Sequence, residues 1–200
     1  MVRETSRREE LAQAATDHAL EHGLVGLSLR PLAAALGTSD RMLLYHFDGK
    51  DDLVATVLRV SNDRSVAEVR GLAAAADVRQ AVLDLWQLVT TPRLARCQRM
   101  YVEAAALGLF GQEPYASVVR ESNAVWVSAV ADHLVASGTP RARAGRAVAL
   151  LDAAMTGFQL DLPLADGAEL ALQQQAVADL ADAVAVIAGT RRRPAAQGSA

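Results

Sequence analysis

Only one of the 200 residues is a cysteine, Cys97, so no internal disulfide can form and a reducing cytoplasm is the expected location. Only one is a lysine, Lys50; the other basic residues are arginines, and with the abundant alanine this bias points to a GC-rich bacterial genome. Aromatic residues make up 4% of a chain that is 52% hydrophobic, and no stretch alternates Val, Ile and Thr as a strand would. Alanine and leucine dominate instead, which makes the chain all-α. No run of about 20 apolar residues is free of charge, so no membrane span is expected. The opening MVRETSRREEL is charged throughout and lacks the apolar core of a signal peptide. There is no excess of positive charge either: the net charge is −3. Within residues 1–64 Arg3, Arg7, Arg8, Arg30, Arg41, Lys50, Arg59 and Arg64 are outnumbered by Asp and Glu. A protein that coats nucleic acid non-specifically is basic over a whole face, so any contact here has to be small, local and repeated by dimerisation. Gly-x-Ser-x-Gly, a phosphate-binding glycine loop, Cys-x-x-Cys and His-Glu-x-x-His are all missing. No enzyme, cofactor or metal is expected.

What is present is punctuated helix. From Ser28 to Leu53 the chain reads SLRPLAAALGTSDRMLLYHFDGKDDL. Ser28 suits an N-cap, Pro31 falls in the first turn, and Leu29, Leu32, Ala33 and Leu36 follow at helical spacing. Gly37 ends that helix, because a left-handed C′ residue is cheap only for glycine. Thr38-Ser39 restarts helix, with Ser39 as cap and Asp40 beside the positive N-terminus. A capped second helix after a glycine turn is the layout of a helix-turn-helix, whose second helix enters the DNA major groove. The two helices are expected over 29–36 and 39–46. In the second, Leu43 and Phe47 turn inward, leaving Asp40, Arg41, Met42, Tyr45 and His46 outside. Arg41 can pair bidentately with guanine, or stand as a solvated charge beside Asp40. Tyr45 and His46 can donate to phosphate. Lys50, with the backbone N–H groups that open the next helix, makes a phosphate site; the plain alternative is an exposed lysine. Ser28, Arg30, Thr38 and Ser39 complete the expected DNA-facing set.

This stretch resembles the DNA-binding domain of the TetR family of bacterial transcriptional repressors. The matching residues are Gly23, Ser28, Leu32-Ala33, Gly37, Ser39, Leu43, Tyr45-His46-Phe47, Lys50 and Leu53. Two positions depart from the family pattern. Leu44 stands where a Tyr is frequent, which removes a phosphate contact or moves it to Tyr45. Ala19 stands where a large apolar residue is usual, leaving Leu20 or Leu24 to fill the core.

Further helices are expected over 6–22, 50–70, 78–90, 93–110, 115–137, 141–160 and 168–188, for about nine in all, with a frayed arm at 1–5. The domain division expected is 1–50 for the helix-turn-helix domain and 51–190 for a helical bundle, with 50–70 as connector and 191–200 as a disordered tail. Arg191-Arg192-Arg193 is either a DNA contact or, the plainer reading, a solvated terminus. His18 and His22 have metal-ligand spacing but no third ligand nearby. Cys97, beside Arg96 and Arg99, is either a redox sensor or an inert buried thiol. The scarce aromatic and sulfur side chains collect at Trp86, Met100, Tyr101, Phe110, Trp126, Met155 and Phe158, with Gln159, His133, Asn123 and Glu103 as polar candidates. Residues at such spacing are equally core, although helix bundles do house pockets. Because members of the family bind inducers there, the resemblance implies that those seven residues and Gln159 line a site for a small, largely hydrophobic effector. The helices at 141–160 and 168–188 are apolar over more than one face, with small residues Ala142, Gly145, Ala149, Ala153 and Gly157 on the first. As in the family, they suggest a homodimer and hence a near-palindromic operator.

The expected function is a cytoplasmic repressor on a double-stranded DNA operator. A ligand releases it by favouring a state in which the helix at 50–70 swings and the two heads no longer match their half-sites. The alternative is an all-α interaction module with degenerate DNA binding, which the acidic balance and Leu44 favour.

Overall fold

A computed structural model describes the backbone of residues 2–189 and the side chains of residues 7–189. The expected tail at 191–200 lies outside the described residues. Among those residues there are nine α-helices and no strand: α1 (Val2–His22), α2 (Leu29–Ala35), α3 (Asp40–His46), α4 (Lys50–Gly71), α5 (Val78–Val89), α6 (Pro92–Leu109), α7 (Tyr115–Ala136), α8 (Arg141–Asp161) and α9 (Gly167–Ala188). Their ends follow local chemistry. Thr91 caps α6, its hydroxyl accepting from the Leu94 N–H at 3.4 Å. Asp166 and Glu169 form a reciprocal capping box on α9, a signal within the stretch expected to be loop. The first helix starts at Val2, not Ser6, so the expected frayed arm is helical from its second residue onward.

Two compact units share these helices. Of the described residues, 2–68 and 90–126 form the first, and 69–89 and 127–189 the second. The expected division, 1–50 and 51–190, is one by role along the chain; these two units are groups by packing. In the first unit Leu11, Ala15, Ala19, Leu24, Leu32, Leu43, Phe47, Leu53 and Val57 form a core with Met100 and Ala104 of α6 and Val118 of α7. Leu24 and the small Ala19 are both buried in this cluster, and Leu20 packs against it. Gly108 of α6 faces α7 closely: a Cβ there would stand 3.1 Å from the Ala116 Cα.

In the second unit α9 packs on α5 and α8. The buried stripe of α5 is Val78, Ala81, Val82, Leu85 and Val89, and that of α9 is Val177, Leu180, Ala181, Val184 and Ala188. Arg79 and Asp182 close the α5–α9 seam with a 2.8 Å ion pair. By length and composition α9 could cross a membrane, but only weakly: its mean hydropathy is 1.2, and it carries Glu169, Asp179 and Asp182.

Candidate nucleic-acid interface

The α2–α3 turn is built by Gly37, whose φ of +64° lies where only glycine is comfortable. Its N–H donates to the Ala34 carbonyl and that of Thr38 to the Ala33 carbonyl, at 3.2 and 2.9 Å. Ser39 then caps α3, its hydroxyl accepting from the Met42 N–H at 3.2 Å. Ser28 sits at the N-cap of α2 in extended conformation, but its side chain makes no capping bond. Its exposed hydroxyl remains available to a phosphate.

Seven residues of α3 divide cleanly. Leu43 is fully buried and Phe47, the C-cap, is 2% exposed. Asp40, Arg41, Met42, Leu44 and Tyr45 are exposed and His46 is half-buried. The tertiary fold therefore adds Leu44, 52% exposed, to the outward set expected from spacing. Tyr45 and His46 meet edge to face at 5.0 Å. Arg30 and Lys50 are exposed and Thr38 half-buried.

Three residues that sequence reasoning gave no part in the site hold this surface in place. Arg8 of α1 donates from Nε to the His46 carbonyl at 2.9 Å and pairs with Asp52 of α4 at 3.0 Å. Its guanidinium lies 4.8 Å from the centre of the Phe47 ring. Asp52 also accepts from the Asp48 N–H at 3.1 Å, so one carboxylate and one guanidinium define the α3–α4 turn that carries Lys50. Glu103 of α6 accepts from the N–H groups of Leu24 and Val25 at 2.6 and 2.8 Å. It was expected as a ligand contact; it serves the α1–α2 hinge instead. Its hinge partners are separated from it by 78 and 79 positions, and the Arg8 contacts by 38 and 44, too far for any local pattern to reveal.

Besides Arg8, four arginines of this unit are held in ion pairs. Arg7 pairs with Glu10, Arg59 with Glu121, Arg64 with Asp17 and Arg93 with Glu68. Among the described residues of the helix-turn-helix region, Arg30, Arg41 and Lys50 carry no ion pair. His18 and His22 stack at 4.3 Å, and burial, then the neighbouring His22, lower the His18 pKa. Among the described residues no three His, Cys, Asp or Glu side chains gather as a metal site.

The expected effector residues fall in both units. In the first, Met100 is 2% exposed within the core, Phe110 is 83% exposed at the C-cap of α6, and Tyr101 and Trp126 are half-buried. Met100 packs inward and Phe110 faces solvent, because helix phase turns one to the core and the helix ends at the other. In the second, Trp86 and Phe158 meet edge to face at 5.9 Å, and Met155 is buried. Gln159 donates to the Val89 carbonyl at 3.3 Å. His133 is buried with no hydrogen-bond partner on Nε2, and burial lowers its pKa. Cys97 is buried in the first unit.

A glycine-turned helix pair with its second helix exposed, on an all-helical chain with a separate bundle, defines a helix-turn-helix DNA-binding protein. The model of the bacterial regulatory proteins of the tetR family matches residues 11–57, so the first part of this 200-residue chain is similar to that family of regulators. Comparison with curated proteins gives no match. Among solved structures, a TetR-family regulator from Rhodococcus sp. is 22% identical with a TM-score of 0.66, covering 92% of this chain and 98% of that one. A regulator from Streptomyces coelicolor A3(2) is 26% identical with a TM-score of 0.65, covering 91% and 98%. The multidrug binding protein EbrR, crystallised with imidazole, is 24% identical with a TM-score of 0.63, covering 89% and 94%.

Proposed function

We propose that this regulator is a homodimeric repressor that leaves a near-palindromic operator when a small, largely hydrophobic ligand binds. The observation that carries the DNA assignment is the outward face of α3. Arg41, Met42, Leu44 and Tyr45 are exposed while Leu43 and Phe47 anchor the helix. Arg41 reads a base; Ser28, Arg30, Thr38, Ser39, Tyr45, His46 and Lys50 hold the phosphates. In this reading residues 1–50 bind DNA in the bacterial cytoplasm, and 51–190 carry the ligand and the dimer.

Support for the dimer comes from α8 and α9. The small residues Ala142, Gly145, Ala149, Ala153 and Gly157 are all exposed. Beside them Leu150, Leu172 and Val186 are 40%, 71% and 75% exposed. Apolar helices left open in this way bury their faces readily against a second copy about a two-fold axis. Support for the ligand comes from Trp86, Phe158, Met155 and Gln159 within the second unit, and from the imidazole complex of EbrR. The ligand acts only to the extent that it binds the released state more tightly than the DNA-bound one.

The test is selection of operator DNA from a random pool, followed by titration of variants. Lys50→Ala is expected to weaken binding to every sequence by about tenfold, the loss of one or two charged phosphate contacts per dimer. Arg41→Ala is expected to relax preference at one base pair per half-site, where a bidentate contact discriminates by about 1–3 kcal/mol. Operator affinity untouched by either change would sink the assignment.

A further inference from the structure

The DNA-facing helix is unusually apolar. Of its seven residues three are large and exposed: Met42 at 43%, Leu44 at 52% and Tyr45 at 65%. Elsewhere in residues 7–68 the only other large hydrophobic residue so exposed is Val25. Soluble proteins tolerate single exposed apolar residues, but three on one short helix mark a surface that meets something. The polar means of reading bases on this helix are few: Arg41, with Asp40 and Ser39 engaged in starting the helix. On helical geometry Met42 and Leu44 flank Arg41 and Tyr45 on opposite sides, since residues 41 and 45 lie one turn apart along the centre of the outward face.

In the major groove only one base edge offers an apolar group, the 5-methyl of thymine. We propose that Met42 and Leu44 are specificity-determining residues that read thymine 5-methyl groups on either side of the base pair contacted by Arg41. Leu44 is the one departure from the family pattern on this helix, and its side chain can make only apolar contact. The inference rests on the DNA-binding reading above.

Replacing thymine by deoxyuracil removes that methyl group and leaves the protein and every hydrogen bond of the base pair unchanged. With the selected operator and the full-length protein, deoxyuracil at the contacted thymines is expected to weaken binding by about fourfold for each thymine replaced, the worth of one buried methyl group. Met42→Ala and Leu44→Ala should each bind more weakly and distinguish thymine from deoxyuracil less at one position. Both side chains are exposed, so circular dichroism should show the fold retained. Restoring the methyl as 5-methylcytosine in place of cytosine at a contacted position should recover part of the affinity. Equal affinity for the thymine and deoxyuracil operators, or half-sites without thymine, would overturn the inference and leave DNA binding standing. Failure of the selection to yield any preferred sequence would overturn the DNA-binding reading itself.

Discussion

At the scale of single residues, burial assigns roles that identity alone leaves open. His133 is 6% exposed, its Nε2 has no partner, and burial holds its pKa below the usual value despite the nearby Asp84 carboxylate. The neutral ring is the folded form. As pH falls through the unfolded value, the unfolded chain binds a proton that the folded chain refuses, so stability is complete at high pH and declines with acid. Thermal melting of the wild type should therefore drop between about pH 7.5 and about pH 5.5, around the unperturbed histidine pKa. His133→Gln should flatten that drop, with His18, whose pKa is also lowered, supplying what slope remains. A variant as steep as the wild type would show that His133 protonates freely in the fold.

At the scale of elements, the DNA-reading helices are held from outside themselves. A seven-residue helix such as α2 or α3 is too short to be stable alone. Arg8 ties α1 to the end of α3 and the start of α4, and Glu103 ties α6 to the α1–α2 hinge. The Glu103 carboxylate satisfies two backbone donors at a point where Gly23 is in a left-handed conformation and a side chain would strike the carboxylate. Glu103→Ala should cost about 2 kcal/mol in urea unfolding, because two donors lose a charged acceptor. Glu103→Gln, which keeps one acceptor oxygen, should fall between. No change in either variant would mean that packing alone holds the hinge.

At the scale of the whole molecule, net charge and DNA binding are reconciled by position. The chain is acidic overall, and most arginines of the helix-turn-helix region are held by carboxylates. Arg30, Arg41 and Lys50 remain for phosphate and base. With Arg41 on a base, the two phosphate cations Arg30 and Lys50 in each of two heads give a slope of log affinity against log salt of about −3.5, and about half that if one head engages alone. Fluorescence anisotropy over a salt series measures it. A slope near zero would favour the interaction-module alternative, in which the helix-turn-helix no longer binds DNA.

What the sequence by itself determined is local. Gly37, Ser39 and the inward pair Leu43 and Phe47 specify a helix-turn-helix because caps, turns and helical periodicity act within a few residues. The helix ends from α4 to α9 follow from the same short-range signals, and the family resemblance rests on the same residues. The tertiary structure decided what long-range packing controls. Met100 packs in the core of the first unit, Phe110 is at the surface, Glu103 caps a hinge, and Arg8 holds the α3–α4 turn. Periodicity gives the phase of a helix, but which neighbour meets each face depends on chain crossings many residues away. Leu44 stands on that line: its departure is visible in the sequence, and only the fold shows it turned outward beside Arg41 and Tyr45.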